Sequence, residues 1–164
     1  MGEFGCPKRR YATIRVHAGA AREWKEGIVD IREDKAWLLQ SRFNPLPVSG
    51  ALALGAGRIS FTLDEDAGDA TVDWLEKELG VEDIASLIRS GETVVAFDYS
   101  LEDCAVSWPL TGGGAMMIVR TPGGRRWVVS YDYPSGGSIT QRMSMLTGRS
   151  KAREWKKALA EAGA

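Results

Sequence analysis

The clearest pattern along the chain is an alternation of apolar and polar residues, which is typical of strands with one buried face. Between Ser49 and Asp64 it predicts a hairpin that turns at residues 55–57. Four more strand-like runs follow between Glu92 and Tyr133. We therefore predict mainly antiparallel sheet, with Glu92–Tyr133 as a four-strand meander that is the scaffold for the rest of the chain.

Alternation within this meander predicts which side chains share a buried face. The predicted inward sets are Val95, Phe97 and Tyr99; Cys104, Val106 and Trp108; and Trp127, Val129, Tyr131 and Tyr133. Glycine-rich segments at 111–114 and 122–124 separate the last three runs and predict turns, since glycine accepts a positive φ.

Helical spacing appears in three places. Two short helices, Thr71–Leu79 and Val81–Ser90, are predicted between the hairpin and the meander, each followed by a glycine. A last helix is predicted from an N-cap at Ser150, after a polar loop over 134–148. Its apolar positions Ala152, Trp155 and Leu159 fall on one face.

The first 48 residues show weaker secondary-structure patterns. Tyr11–Ala18 alternates like a strand. Ala21–Phe43 is ambiguous between helical spacing and a strand at 28–31, and we favour a strand followed by a short helix. We treat 1–48 as an N-terminal extension and 50–162 as the core of a single domain covering 1–164.

Composition is that of an ordinary globular protein. The 164 residues are 44% hydrophobic and 26% charged, and the net charge of −1 gives no overall attraction to nucleic acid or anionic membranes. Cys6 and Cys104 are too few and too far apart for a zinc site or a disulfide framework, which favours a reduced, cytoplasmic protein. No apolar run is long enough to span a membrane, and no signal peptide is visible.

Candidate catalytic chemistry is sparse. His17 is the one histidine, and no nucleophile or orienting partner can be assigned to it. Residues 112–114 are glycines between strand patterns, without the Gly-Lys-Ser/Thr and helix of a phosphate-binding loop. We predict no cofactor, no metal and no catalytic residue, and we therefore favour a binding protein over an enzyme.

Charge is unevenly distributed along the chain. Nine acidic residues and one lysine lie between Asp64 and Asp83, whereas six basic residues and one glutamate lie between Arg142 and Lys157. Solvated helix faces explain both runs. The functional alternative is an anion or partner site at Arg142, Arg149, Lys151 and Arg153, where a helix N-terminus and arginines would hold the anion.

One family resemblance is visible. The Trp-bearing helix at 153–159, the strand and corner at 95–109 and the strand at 126–131 resemble the pleckstrin-homology superfamily, and bacterial PH-like and GRAM-like proteins in particular. The resemblance covers about 50–162. It implies a bent antiparallel sheet or partly open barrel, capped by the C-terminal helix, with the two short helices as an insertion.

The resemblance and the lack of a catalytic set together predict an α+β, non-enzymatic binding or adaptor module for a protein, a peptide or a small anionic ligand. The alternative is a carrier or enzyme with an interior cavity lined by some of Trp74, Trp108, Trp127 and Trp155.

Overall fold

A computed structural model describes residues 32–41, 46–65, 67, 69–109, 114–133 and 139–163, of which 69–71 and 139–146 are described by their backbone alone. The strands are β1 (Arg32–Leu39), β2 (Pro47–Gly55), β3 (Arg58–Leu63), β4 (Val95–Ser100), β5 (Ala105–Ser107), β6 (Met116–Arg120) and β7 (Arg126–Ser130). The helices are α1 (Asp69–Leu79), α2 (Ile84–Arg89) and α3 (Ile139–Glu161), with a 3₁₀ turn at Leu101–Asp103. The predictions at Tyr11–Ala18, His17 and Cys6 lie outside the described residues.

All seven strands form one antiparallel sheet in the order β4-β3-β2-β1-β7-β6-β5. The hairpin predicted at Ser49–Asp64 is confirmed as β2 and β3, which turn at Ala56 and Gly57, both with positive φ. The two short helices lie between β3 and β4, and α3 follows the last strand. The α+β class, the two-helix insertion and the C-terminal helix are therefore confirmed.

The sheet has to curl, because its two edge strands are consecutive in the chain. β4 and β5 lie at opposite ends of the strand order, yet residues 101–104 alone join them. A flat sheet of this size would separate its edges by about 29 Å, whereas this link spans about 18 Å at full extension. The predicted four-strand meander is thus wrong at its first step: β4 pairs with β3, and β5, β6 and β7 form a meander of three strands.

β1 is the central strand of the sheet. Its whole length pairs with β2, and its last three residues also pair with β7, from Trp37↔Ser130 to Leu39↔Val128. The short helix predicted after Ile31 is wrong, since Arg32–Leu39 is extended. Residues 32–39, which we assigned to an N-terminal extension, therefore join the two halves of the sheet.

The buried face of the sheet carries one large core. Ala36, Leu38, Phe61, Trp127 and Val129 lie in it and are almost completely shielded from solvent. The predicted inward set of β4 is partly wrong: the register shifts between Phe61 and Thr62, where a bulge buries both Ala96 and Phe97 and leaves Val95 half-buried.

A smaller apolar cluster lies on the other face. Leu39, Ile118 and Val128 are buried there, with Trp37 and Met116 packed against them. Tyr133 was predicted on the Trp127 face, and this is wrong: its ring meets Trp37 edge-on at 5.9 Å and it is 50% exposed. Alternation stops because β7 ends at Ser130, whose hydroxyl binds the backbone of Asp132 and bends the chain.

α1 and α2 are held together by a side-chain cap. Asp83 precedes α2 with a left-handed backbone and forms no side-chain cap hydrogen bond. Instead, Glu76 of α1 accepts a hydrogen bond from the backbone N–H of Ile84 at 2.8 Å. A carboxylate at this position satisfies a free N–H and complements the helix dipole, so it fixes the start of α2 against α1.

α3 is twice as long as predicted. It begins at Ile139 rather than at Ser150, so residues 139–148 are helical and the predicted polar loop is wrong there; residues 134–138 lie outside the described part. Gly148 is buried where α3 approaches the sheet. A Cβ atom on Gly148 would lie 2.9 Å from the Cβ of Asp132 and 3.2 Å from that of Ala115, so this glycine permits close packing.

Candidate functional site

The four basic residues singled out in the sequence all lie within α3. The helix-start argument for an anion site is wrong, because Lys151 and Arg153 lie well inside the helix, where backbone N–H groups bond to the preceding turn. Arg142, Arg149 and Arg153 recur at intervals of seven and four residues, which places them along one stripe of the helix.

Their contacts differ. The Nζ of Lys151 forms an ion pair with Asp34 at 3.6 Å, while Arg149 and Arg153 are exposed. The side chain of Arg142 lies outside the description. Anion binding at these four residues stays a prediction.

Asp34 is the point where α3 attaches to β1. Its carboxylate accepts a hydrogen bond from Trp155 Nε1 at 2.8 Å and forms ion pairs with Arg32 at 3.0 Å and Lys151 at 3.6 Å. Arg32 also pairs with Glu154 at 2.7 Å, and its guanidinium lies 5.5 Å from the Trp155 ring centre. This network satisfies its own polar groups and holds the helix, so we interpret it as structural.

A different place in the fold has unsatisfied polar groups. A cleft of about 180 Å³ lies where the end of β1, the C-terminal half of α1 and the start of β7 meet. Its lining residues are Leu39, Gln40, Trp74, Glu78, Arg126 and Trp127. The strand register brings β1 and β7 together at the cleft. Leu39 of β1 pairs with Val128 of β7, so the next residue, Gln40, lies beside Trp127. On α1, Trp74 and Glu78 are one turn apart and therefore share a face.

Two tryptophans that line this cleft have a buried indole N–H group for which no described residue is a hydrogen-bond partner. The donor atoms are Nε1 of Trp74 and Nε1 of Trp127, on residues that are only 7% and 2% exposed. A buried donor without a partner costs about 1–3 kcal/mol, and such groups are rare in native proteins. Both of these groups belong to residues that line the same cleft.

Arg125 contacts two residues that line the cleft, Glu78 and Trp127. Its guanidinium donates to the backbone carbonyl of Glu78 at 2.6 Å, pairs with the Glu78 carboxylate at 3.6 Å and lies 5.2 Å from the Trp127 ring centre. Phe97 stacks on Trp127 with ring centres 5.6 Å apart. These contacts position Trp127, and Arg125 offsets the negative charge of Glu78.

Arg126 has a different environment. It is exposed, and no ion pair joins it to another residue in the ranges that the structure covers. Across the β6–β7 ladder it lies directly opposite Arg120, which is also exposed. Like charges at such a pair repel one another.

The tryptophans named in the sequence separate into distinct roles. Trp74 and Trp127 line the cleft, whereas Trp155 is fully buried in the core and Trp108 stacks on Tyr131 with ring centres 6.2 Å apart. The sequence signal for the cleft was the presence of these tryptophans; no pattern indicated which two would meet, because Trp74 and Trp127 are 53 positions apart in the chain.

Two further searches concern the described residues alone. Among them, no group of three or more histidine, cysteine, aspartate or glutamate side chains is arranged to hold a metal ion. Within the same ranges, none of the helices combines the length and the apolar character that crossing a membrane requires.

Similarity to known proteins is limited to structure. A scan against protein families found no match to this chain, and neither did a search of curated proteins. Among solved structures, the pleckstrin homology domain of ArhGAP27 is similar, with 12% sequence identity and a TM-score of 0.43; the match covers 81% of this chain and 97% of that one.

The class rests on the chain's own architecture. A bent, seven-stranded antiparallel sheet with a C-terminal helix packed against it is the α+β architecture that the sequence resemblance implies, with α1 and α2 inserted between β3 and β4.

Proposed function

We propose that this chain is a non-enzymatic binding module and that the Trp74–Trp127 cleft holds one group of its ligand. The observation that carries the proposal is the pair of buried indole N–H groups without partners. Both nitrogens are shielded from solvent, so an acceptor of a ligand reaches them when the indole rings turn toward the cleft on binding, and it then satisfies donors that otherwise destabilise the fold. The glutamate in the cleft is paired with Arg125, so the lining provides donors and aromatic surface rather than a free base.

The size of the cleft favours a chemical group of a larger partner. Pockets for whole drug-sized molecules have volumes of about 300–1,000 Å³, whereas this cleft measures about 180 Å³. That space suits one side chain or a chain end of a protein or peptide. The carrier or enzyme alternative is weaker, since Trp155 and Trp108 pack elsewhere and the cleft is too small to enclose a larger molecule.

Three narrower predictions are independent of this proposal. They are a kinship with bacterial GRAM-like proteins, a cytoplasmic location and anion binding along α3. The first two rest on the sequence resemblance and on cysteine usage, and the third on the basic residues of α3.

Indole signals in a ¹H–¹⁵N NMR spectrum test the proposal directly. The signals of Trp74 and Trp127 are assigned with Trp74→Phe and Trp127→Phe. The labelled protein is then titrated with a panel of N-acetyl amino acid N-methylamides at millimolar concentration, where fragments of this size bind. We expect at least one probe to shift both signals.

The indole of Trp155 is the internal control, because its N–H is already bound to Asp34. A panel that leaves the Trp74 and Trp127 signals in place, or shifts Trp155 equally, contradicts the proposal.

A further inference from the structure

The outer face of β6, β7 and β1 has a basic end and an aromatic end. The strand register arranges its side chains in rows, in which Arg120 lies opposite Arg126, Ile118 opposite Val128, and Met116 opposite Ser130. Trp37 of β1 extends the last row, since it also lies opposite Ser130. Successive rows lie about 7 Å apart on one face of a sheet, so about 14 Å separates the two arginines from the row of Trp37.

The accessible side chains of these rows are of the types that protein interfaces favour. Arg120 and Arg126 are exposed, and Trp37 and Met116 are half-buried. Tyr133 belongs to the same surface, because it is 50% exposed and its ring meets that of Trp37 edge-on at 5.9 Å. Tryptophan, tyrosine, methionine and arginine are all enriched at protein interfaces. We call these five residues the basic–aromatic surface.

The two arginines of this surface lack a counter-ion. They lie directly opposite each other, and within the described ranges neither forms an ion pair. The other half of the sheet differs, because Arg58 on β3 has the carboxylate of Asp98 on β4 at 2.9 Å. Like charges at directly opposite positions destabilise a sheet. A carboxylate placed between the arginines relieves this repulsion, and a guanidinium binds a carboxylate through two parallel hydrogen bonds.

We infer that the basic–aromatic surface docks a polypeptide segment of a partner protein that carries an acidic residue and an apolar side chain. The acidic residue pairs with Arg120 and Arg126, while the apolar side chain packs on Trp37 and Tyr133. The separation of the two ends matches about four residues of an extended chain. A membrane is a poorer match, since recognition of anionic lipids uses clusters of about four to eight basic residues.

This inference does not rest on the function proposed for the cleft, because the indole N–H groups of Trp74 and Trp127 take no part in it. Arg126 borders both places, since it also lines the cleft. Arg120 does not line the cleft, so substitutions there act on the basic–aromatic surface alone.

A displayed library of random linear peptides, selected on the immobilised full chain, tests the inference. We expect the enriched peptides to share an acidic residue and an aromatic or large aliphatic residue about four positions apart. Replacing their acidic residues with the corresponding amides should weaken binding about ten-fold. In a ¹H–¹⁵N spectrum, the peptides should shift the Trp37 indole signal and leave that of Trp155, which is bound to Asp34, in place.

Arg120→Glu is the decisive variant, because it separates binding from stability. It turns a repulsive cross-strand pair with Arg126 into an attractive one, so we expect the free energy of unfolding to rise. We expect the affinity for the enriched peptides to fall about ten-fold at the same time. Arg153→Glu makes the same change at an exposed position of α3 and should leave that affinity unchanged.

The outcomes distinguish this surface from the cleft. Peptides that shift the indole signals of Trp74 and Trp127 but not that of Trp37 overturn this inference and leave the proposed function standing. A library without binders overturns it, as do enriched peptides without acidic residues and an affinity that Arg120→Glu does not lower. Tighter binding to vesicles of phosphatidylserine and phosphatidylcholine than to any peptide assigns the surface to a membrane and overturns it as well.

Discussion

At Asp34, one carboxylate joins the central strand to the C-terminal helix. It accepts the indole N–H of Trp155 and pairs with Arg32 and Lys151. A half-buried carboxylate with three donors around it stabilises the packing, whereas removal of that carboxylate would leave the indole N–H of Trp155 without its acceptor. Trp74 and Trp127 are the opposite case: their indole N–H donors are buried, and no described residue accepts a hydrogen bond from them.

Tyr131 provides a pH-dependent test at the residue scale. Its ring packs on Trp155 at 5.9 Å, and its hydroxyl donates to the Sδ of Met117 at 3.7 Å. Burial raises the pKa of Tyr131 well above its ordinary value; the charge of nearby Asp34 adds to the rise, while Arg32 acts against it. The folded protein therefore keeps this phenol neutral at a pH where the unfolded chain ionises it.

We expect this to destabilise the protein at alkaline pH. A raised pKa in the folded state contributes stability that is complete below about pH 10 and is lost as pH rises above that value, by up to about 1.4 kcal/mol per pH unit. Urea unfolding at a series of pH values should show a shallower alkaline decline for Tyr131→Phe than for the unmodified protein. Tyr133→Phe, at a half-exposed tyrosine, is the control and should retain the steep decline.

At the scale of elements, α3 lies unusually close to the sheet at Gly148. Its neighbours there are the Cβ atoms of Asp132 and Ala115, which leave no room for a side chain. Protein interiors are packed densely enough that an added side chain forces the backbone to move.

Gly148→Val tests this close approach. We expect it to lower the free energy of unfolding by about 2–3 kcal/mol through overpacking. Ser150→Val places the same side chain at an exposed position of the same helix, and we expect a change within about 0.5 kcal/mol. Denaturant unfolding of both variants measures the difference; equal stabilities would show that α3 does not pack on the sheet through Gly148.

At the scale of the whole molecule, β1 joins two groups of strands that share no other ladder within the described residues. β2, β3 and β4 lie on one side of it, and β7, β6 and β5 lie on the other. It also carries Asp34, through which α3 attaches. The fold therefore depends on a strand at the start of the described chain.

A truncated chain tests this dependence. We expect residues 50–164 alone to lack a cooperative fold, because β2 and β7 lose the strand that joins them and two backbone edges are left unpaired. Circular dichroism and the dispersion of a ¹H–¹⁵N spectrum measure this, with the full chain as the control. A well-dispersed spectrum from residues 50–164 would falsify the central role of β1.

The pattern of apolar residues within a segment predicted those elements whose conformation depends on residues nearby in the chain. The β2–β3 hairpin followed from strict alternation around Ala56 and Gly57, and α1 and α2 from apolar spacing that ends at glycine. β1 was missed because its first four residues are all charged and its last four all apolar, so apolar and polar residues do not alternate; the charged Arg32 and Asp34 face α3. The first turns of α3 were missed because their composition is that of a polar loop.

By itself, the sequence determined that this is an α+β domain of mainly antiparallel sheet with a helix at its C-terminal end, because the period of apolar residues is a local property of each segment. Only the tertiary structure decided that β1 is central, that β4 and β5 lie at opposite edges, and that Trp74 and Trp127 meet at one cleft. These depend on pairing between residues far apart in the chain. A donor becomes unsatisfied only once folding has buried it, so the sequence offered four tryptophans as candidates and could not show which two line the cleft.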